Sequence, residues 1–167
     1  MQNYYSAKLS AQKLKKCYDI ASPRIIRYLE SEVEFVAEHI KPNGSVLELG
    51  CGYGRVIESL ASKASSIAGI DTSLPSLQMA ADLIDSQINR AFFQMDAASL
   101  GFSDDAFDLV VCIQNGLSAF KVDRRKLIEE ALRVTRPGGM ALFSSYAEKF
   151  WPERLRWFEL QAEHGLL

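Results

Sequence analysis

The sequence is poor in the residues that would mark several function classes. It has three cysteines, Cys17, Cys51 and Cys112, without the paired spacing of a metal site or a disulfide framework. Two of them fall in or beside strand-like runs and read as small buried hydrophobes, which points to a reducing, cytoplasmic compartment. The two histidines, His39 and His164, sit inside helical patterns, so neither is placed as a base. No sign of charge is in excess: nineteen Lys plus Arg face twenty-one Asp plus Glu, a net −2. Without a global basic field, nucleic acid is not the expected partner. Leu109 to Ile113, the longest apolar run in the fourth strand-like segment, is far too short to span a bilayer. Met1-Gln2-Asn3-Tyr4-Tyr5 lacks the apolar core of a signal peptide, so no membrane role is expected. Repeats and low-complexity segments are missing too.

What is there amounts to one domain with a core: 167 residues, 48% hydrophobic and 24% charged. It is organised around Val46-Leu47-Glu48-Leu49-Gly50-Cys51-Gly52-Tyr53-Gly54-Arg55. This stretch predicts a short strand, a glycine turn and the start of a helix. Glycines at alternate positions remove Cβ atoms where the chain turns, so a ligand can approach the main chain. The helix that follows would point its free amides into that turn. A dinucleotide fingerprint, G-x-G-x-x-G, would need a third glycine where Arg55 stands. A phosphate-cradling G-x-x-x-x-G-K-[ST] loop would need a lysine that the turn lacks.

Four more strand-like runs follow. Ser66 to Ile70 ends in Asp71, spaced from the glycines as an acid that meets a ribose. A carboxylate there can accept from two neighbouring hydroxyls. Ala91 to Gln94 leads into Met95-Asp96-Ala97. Phe107 to Ile113 ends in Gln114-Asn115-Gly116. Arg133 to Gly139 turns into Met140 to Ser144.

In this order and spacing the runs resemble the cofactor half of the class I S-adenosylmethionine-dependent methyltransferases, over about Ser45 to Ser145. The resemblance implies an α/β fold: a doubly wound, Rossmann-like parallel sheet of five strands, order 3-2-1-4-5, with an N-terminal helical extension. The last two strands usual in the family are missing. It implies S-adenosyl-L-methionine as cofactor and in-line transfer of its methyl group to an acceptor, by default a small molecule. Carried over residue by residue, Glu48 is similar to the family's acid below the turn, and Gly50, Cys51, Gly52 and Gly54 face the methionine and sugar. Asp71 takes the ribose, with Thr72 and Ser73 beside it. Asp96 and Ala97 meet the adenine. Gln114 and Asn115 lie where transfer would occur, Gln114 beside the cofactor and Asn115 toward the substrate. No metal is required, and no catalytic residue is assigned. The Asp-Pro-Pro-Tyr and Pro-Cys patterns of nucleic-acid methylation are missing.

The flanks complete the expectation. Residues 1–41 are assigned to a helical cap, 42–147 to the cofactor core and 148–167 to a C-terminal helix. The first twenty-one residues, with Tyr4, Tyr5, Leu9, Leu14, Cys17 and Tyr18, form either a solvated helical face or a lid that brings Tyr18 near the substrate. Ser22-Pro23 opens a long helix whose buried face is predicted as Ile26, Leu29, Val33, Val36 and Ile40, with Glu32 on the wet side. Arg24 is a candidate for the cofactor's carboxylate. Later buried stripes are predicted at Leu77, Ala80, Ala81 and Ile84, and at Leu127, Ile128, Ala131 and Leu132. The last helix is expected over Pro152 to His164, carrying Trp151, Leu155, Phe158 and Leu160. A bare edge on the fifth strand invites pairing, so a homodimer is an expected partner state. Two other readings stay open: a nicotinamide-dependent oxidoreductase, and a non-catalytic S-adenosylmethionine-binding module.

Overall fold

The computed structural model describes residues 11–167. The expectations on Tyr4, Tyr5 and Leu9 lie outside them. Among the described residues one parallel sheet runs in the order β3-β2-β1-β4-β5. Its strands are β1 (Ser45–Leu49), β2 (Ser66–Asp71), β3 (Arg90–Gln94), β4 (Phe107–Cys112) and β5 (Thr135–Phe143). The helices are α1 (Gln12–Asp19), α2 (Pro23–Glu38), α3 (Arg55–Leu60), α4 (Leu74–Leu83), α5 (Gly116–Ala119), α6 (Arg124–Val134) and α7 (Trp151–Glu163).

The inner strands read as unbroken apolar runs because helices cover both faces of the sheet. On one face Val46, Ile67, Leu109 and Val111 pack with Val33 and Val36 of α2 and Ile57 and Leu60 of α3. On the other Leu47, Ile70, Val110 and Cys112 pack with Leu127, Ala131 and Val134 of α6. Val46 lies opposite Ile67 on one side and Leu109 on the other. The register is fixed at the N-terminal ends of the strands by Asp108. Its Oδ2 accepts from the Ser45 N–H at 2.9 Å, the Ser45 hydroxyl at 2.8 Å and Arg136 Nη1 at 2.9 Å. These donors hold its carboxyl below the ordinary range.

Local chemistry sets the helix starts. Ser22 caps α2, Ser73 caps α4 and Asp123 caps α6, each accepting from a first-turn amide. Three stripes are turned from the predicted ones. Ile25, not Ile26, is buried on α2; Ala81 is exposed on α4; and on α6 Val134 replaces the exposed Leu132. In each case the apolar set was wider than the stripe that meets the sheet. Pro137-Gly138-Gly139 does not end before β5 but lies inside it. Gly138, at φ 75°, and a register shift between Phe107 and Leu109 carry the strand through the bend.

The two end helices meet over one end of the sheet. Trp157 Nε1 of α7 donates to the Cys17 carbonyl of α1 at 2.8 Å. Phe150 and Trp157 share a cluster with Ala21, Ile25 and Leu29. The heavy side chains expected to anchor α7, Trp151 and Leu155, are exposed, and Trp157 and Gln161 are buried instead.

Candidate functional site

At the C-terminal ends of β1, β2 and β4 lies a cavity of about 200 Å³, the place where open α/β sheets hold ligands. Its floor is the turn after β1. Gly50, Gly52 and Gly54 have φ of 79°, 54° and 86°, a region that side chains with a Cβ seldom enter. The space each leaves is used differently. A Cβ on Gly50 would stand 2.6 Å from the Phe120 ring, and one on Gly52 2.9 Å from Leu14 of α1. A Cβ on Gly54 would stand 2.6 Å from Ile84 and 3.1 Å from Ala80, so this glycine lets α4 approach and does not line the cavity.

Four amides of the turn itself are engaged within the protein. Gly50 and Cys51 both donate to the Ile70 carbonyl, at 2.8 and 2.9 Å. Gly52 donates to Asp71 Oδ2 at 2.9 Å, and Gly54 to the Cys51 carbonyl at 2.9 Å. The turn is thus strapped to the end of β2, with Phe120 and Leu14 seated over Gly50 and Gly52. Polar recognition therefore falls to side chains.

Asp71 is the hinge of that arrangement. Oδ2 holds Gly52 and Oδ1 accepts from the Ser73 N–H at 2.8 Å. A carboxylate oxygen accepts two bonds, so each keeps a lone pair for a ligand hydroxyl. Burial raises the Asp71 carboxyl, while the N–H bonds from Ser73 and Gly52 pull it down. Thr72 and Ser73 line the cavity beside it. The Ser73 hydroxyl accepts from the Ser76 hydroxyl at 3.0 Å.

Glu48 projects from β1 into the cavity wall. It is 5% exposed and its Oε2 has no hydrogen-bond partner. Burial pushes its carboxyl up to about 8; the Arg55 charge opposes this and Asp71 adds to it. Arg55 faces it across the turn, with its guanidinium 4.7 Å from the Tyr18 ring centre and its buried Nη2 unpartnered. Cys51 is buried too, and burial with the two nearby carboxylates holds its thiol well above the ordinary value. It is packing, not a nucleophile.

Tyr18 lies in the cavity roof, 6.1 Å from Tyr53 and 5.6 Å from Trp157 between ring centres. Gln114 lines the wall; its N–H donates to the Ser144 hydroxyl at 2.8 Å. Asn115 does not line it, and its Oδ1 accepts from the Ser145 hydroxyl at 3.1 Å. Both residues are left-handed, at φ 59° and 62°. Asp96 and Ala97 also lie outside the cavity lining. Asp96 is exposed and caps its own turn by accepting from the Ala98 N–H at 2.9 Å, and Ala97 is fully buried under it. Arg24 does not reach the site: it pairs with Glu153 at 3.8 Å.

Several lining residues had no role in the sequence reading. Phe120, Tyr146, Arg154, Trp157 and Phe158 all face the cavity. Phe120 arrives at the end of α5, and the docking of α7 on α1 brings Arg154, Trp157 and Phe158 to the cavity. Glu32 was placed on the wet side of α2, yet its Oε2 is buried without a partner, and burial raises its carboxyl. The Ser144 hydroxyl and the Gln114 N–H act against that rise. Periodicity marked the face of α2 that meets the sheet, not the strip that meets the ends of β4 and β5. Among the described residues no cluster of His, Cys, Asp and Glu could hold a metal, and no helix is long and apolar enough to cross a membrane.

Known proteins carry the same framework. Residues 46–139 match the family model for the methyltransferase domain. The arsenite methyltransferase of Aquipseudomonas alcaligenes is 30% identical, over 93% of this chain and 53% of its own. The 2-methyl-6-phytyl-1,4-hydroquinone methyltransferase of Synechocystis is 27% identical, over 73% of this chain and 41% of its own. The chain thus spans about half the length of these relatives. Among solved structures, the PH0226 protein of Pyrococcus horikoshii superposes with a TM-score of 0.71 at 26% identity, covering 85% of this chain and 64% of that one. The [4+2]-cyclase SpnF superposes with a TM-score of 0.61 at 31% identity, covering 68% and 43%. The matched stretch begins in β1 and ends within β5, so the strapped turn, the acid of β2 and the sheet that carries them come as one inherited unit, and the chain belongs to the methyltransferase domain family.

Proposed function

We propose that this chain is the cofactor-binding core of an S-adenosylmethionine-dependent methyltransferase that acts on a small-molecule acceptor. The observation that carries the reading is the strapped glycine turn, flanked by the buried carboxyl of Glu48 and the half-buried carboxyl of Asp71. The residues fit that cofactor. The free lone pairs of Asp71 suit a ribose diol, with Thr72 and Ser73 alongside. The orphaned Oε2 of Glu48 suits the cofactor's ammonium group. Arg55, with an unpartnered nitrogen beside the turn, takes the place expected of Arg24 as partner of the methionine carboxylate. Asp96 and Ala97 are the adenine end, and reaching the base requires the Asp96 turn to keep its second oxygen free. Gln114 stands at the transfer end, and Asn115 supports its turn.

When bound, the cofactor supplies an activated methyl group on a sulfonium. The chain's part is orientation. The strapped turn fixes one end, Gln114 and the aromatic roof fix the other, and closure excludes water. Among the described residues no His or Lys lines the cavity, so proximity rather than proton transfer is the contribution assigned here. The described part of the 1–41 cap, residues 11–41, covers the core of 42–147 together with residues 148–167. Leu14 and Tyr18 of α1 stand over the turn, so the cap lifts for the cofactor to enter. The relatives' acceptors, arsenite, a hydroquinone and ubiquinone precursors, support a small molecule over nucleic acid. A homodimer would cover the edge of β5, and three buried free thiols suit a cytoplasmic setting.

The test is mass spectrometry of the purified protein for carried-over S-adenosylhomocysteine, with calorimetry against that ligand and against nicotinamide dinucleotide. Binding of the first alone supports the reading; binding of the second alone removes it. The likeness to a [4+2]-cyclase favours one alternative, a chain that binds the cofactor without transferring its methyl group. Incorporation of labelled methyl into any acceptor separates the two.

A further inference from the structure

The cavity wall opposite the glycine turn is built by α7 and the segment before it. Arg154 is its centre. The guanidinium carbon lies 4.0 Å from the Phe158 ring centre, 4.6 Å from Trp157 and 4.9 Å from Tyr146. Its Nε is buried with no hydrogen-bond partner, and no carboxylate among the described residues forms an ion pair with it. The neighbouring acid, Glu153, is engaged by Arg24 and Arg156 instead. A half-buried cation is thus wrapped in ring faces and left with one buried, idle donor. Ring quadrupoles offset part of that cost, but a buried N–H without an acceptor stays unfavourable. The group that would relieve it is an anion small enough to lie among those rings.

We propose that Arg154 is the anion-recognising residue of the acceptor site, and that the acceptor is a small aromatic acid. Its carboxylate meets the orphaned Nε, and its ring lies against Phe158, Trp157 and Tyr146. The class rests on the methyltransferase reading above; the anion site itself does not. Two features separate this group from the cofactor's own carboxylate. Arg154 comes from the wall after β5, whereas Arg55 stands at the turn. The tilted pair Tyr18 and Trp157, 5.6 Å apart, lies between them, each carrying one of the two guanidiniums. The cavity therefore has two cationic ends, one for each ligand.

The experiment is calorimetry on the whole chain, with and without saturating S-adenosylhomocysteine. The probes are 4-hydroxybenzoate against 4-hydroxybenzamide, and phenylacetate against phenylacetamide. Each acid should bind about ten-fold tighter than its amide, since only the acid forms a charge-assisted bond to the guanidinium. Arg154→Gln should bring that ratio to about one and leave the S-adenosylhomocysteine affinity unchanged. Arg154→Lys, which keeps the charge but loses the planar fork, should fall between, and it serves if the Gln variant does not fold. Arg55→Gln should weaken S-adenosylhomocysteine and keep the acid preference. Equal binding of acids and amides, or a preference that survives Arg154→Gln, overturns the proposal. An acid preference in a protein that fails to take S-adenosylhomocysteine would uphold the anion site and remove the methyltransferase reading.

Discussion

Replacing Glu48 by Gln should make the protein more stable at neutral pH while damaging its affinity for cofactor. Glu48 is almost fully buried, and burial raises its carboxyl to about 8 from the ordinary 4.5. The folded state therefore holds a proton that the unfolded chain gives up in weakly acidic solution. For a raised acid the penalty is absent below the unfolded value and grows as pH climbs towards 8. Between pH 5 and pH 7 that linkage removes about 2.5 kcal/mol of stability. For a chain of this size the loss corresponds to roughly 5–10 °C in melting temperature. Gln is nearly isosteric and carries no titrating proton, so its melting temperature should lack this part of the fall. Asp71 is raised as well and tilts both proteins equally, so the difference between the two profiles isolates Glu48. The assay is thermal melting of both proteins without cofactor in half-unit steps from pH 5 to pH 8. Parallel profiles would refute the reasoning, because they would mean that the carboxyl is solvated or paired in the folded state. The same experiment has a second reading. If the site holds an ammonium and a sulfonium, binding at pH 7 should drive the Glu48 proton into the buffer. The heat of S-adenosylmethionine binding should then vary with the ionisation enthalpy of the buffer, and that dependence should vanish in the Gln variant.

Other outcomes follow from the same geometry. Asp71→Ala removes both the ribose acceptor and the strap on Gly52, so S-adenosylhomocysteine affinity measured by calorimetry should fall about 10–100-fold, the worth of hydrogen bonds to a charged group. Gly54→Ala puts a methyl 2.6 Å from Ile84 at a φ of 86°, and urea unfolding should show a loss of about 1–3 kcal/mol. Removing residues 1–21 deletes Leu14 and Tyr18 from the roof; cofactor release measured by stopped flow should speed up, and an unchanged rate and affinity would deny the cap its role.

The sheet was legible in the sequence because its signal is redundant. Each inner strand is a short, mostly apolar run, closed by Gly50 after β1, Asp71 in β2 and Gln114 after β4, and their order places them. The floor of the site was legible for the same reason: Glu48, Gly50, Gly52 and Asp71 sit in one strand-turn unit and at the next strand's end. What the sequence did not expose depends on distance in space. Nothing around Arg154 or Trp157 marks them as partners of Cys17 and Tyr18, because α7 carries a sparse buried face and its conspicuous Trp151 and Leu155 face solvent. The helical stripes were misplaced where apolar residues outnumbered the positions that touch the sheet, as with Ile26 and Leu132. The strap of Gly50 and Cys51 onto the Ile70 carbonyl was not legible either, because only the register of β1 against β2 reveals that partner.

Gln114 and Asn115 sit side by side in a backbone region that their Cβ atoms disfavour, held there by the Ser144 and Ser145 hydroxyls. This bend aims α5 so that Phe120 comes to rest on the hollow above Gly50. The Phe120 ring thus fills the space that a side chain at position 50 would claim, so the bend after β4 and the missing Cβ of the floor fit only as a pair.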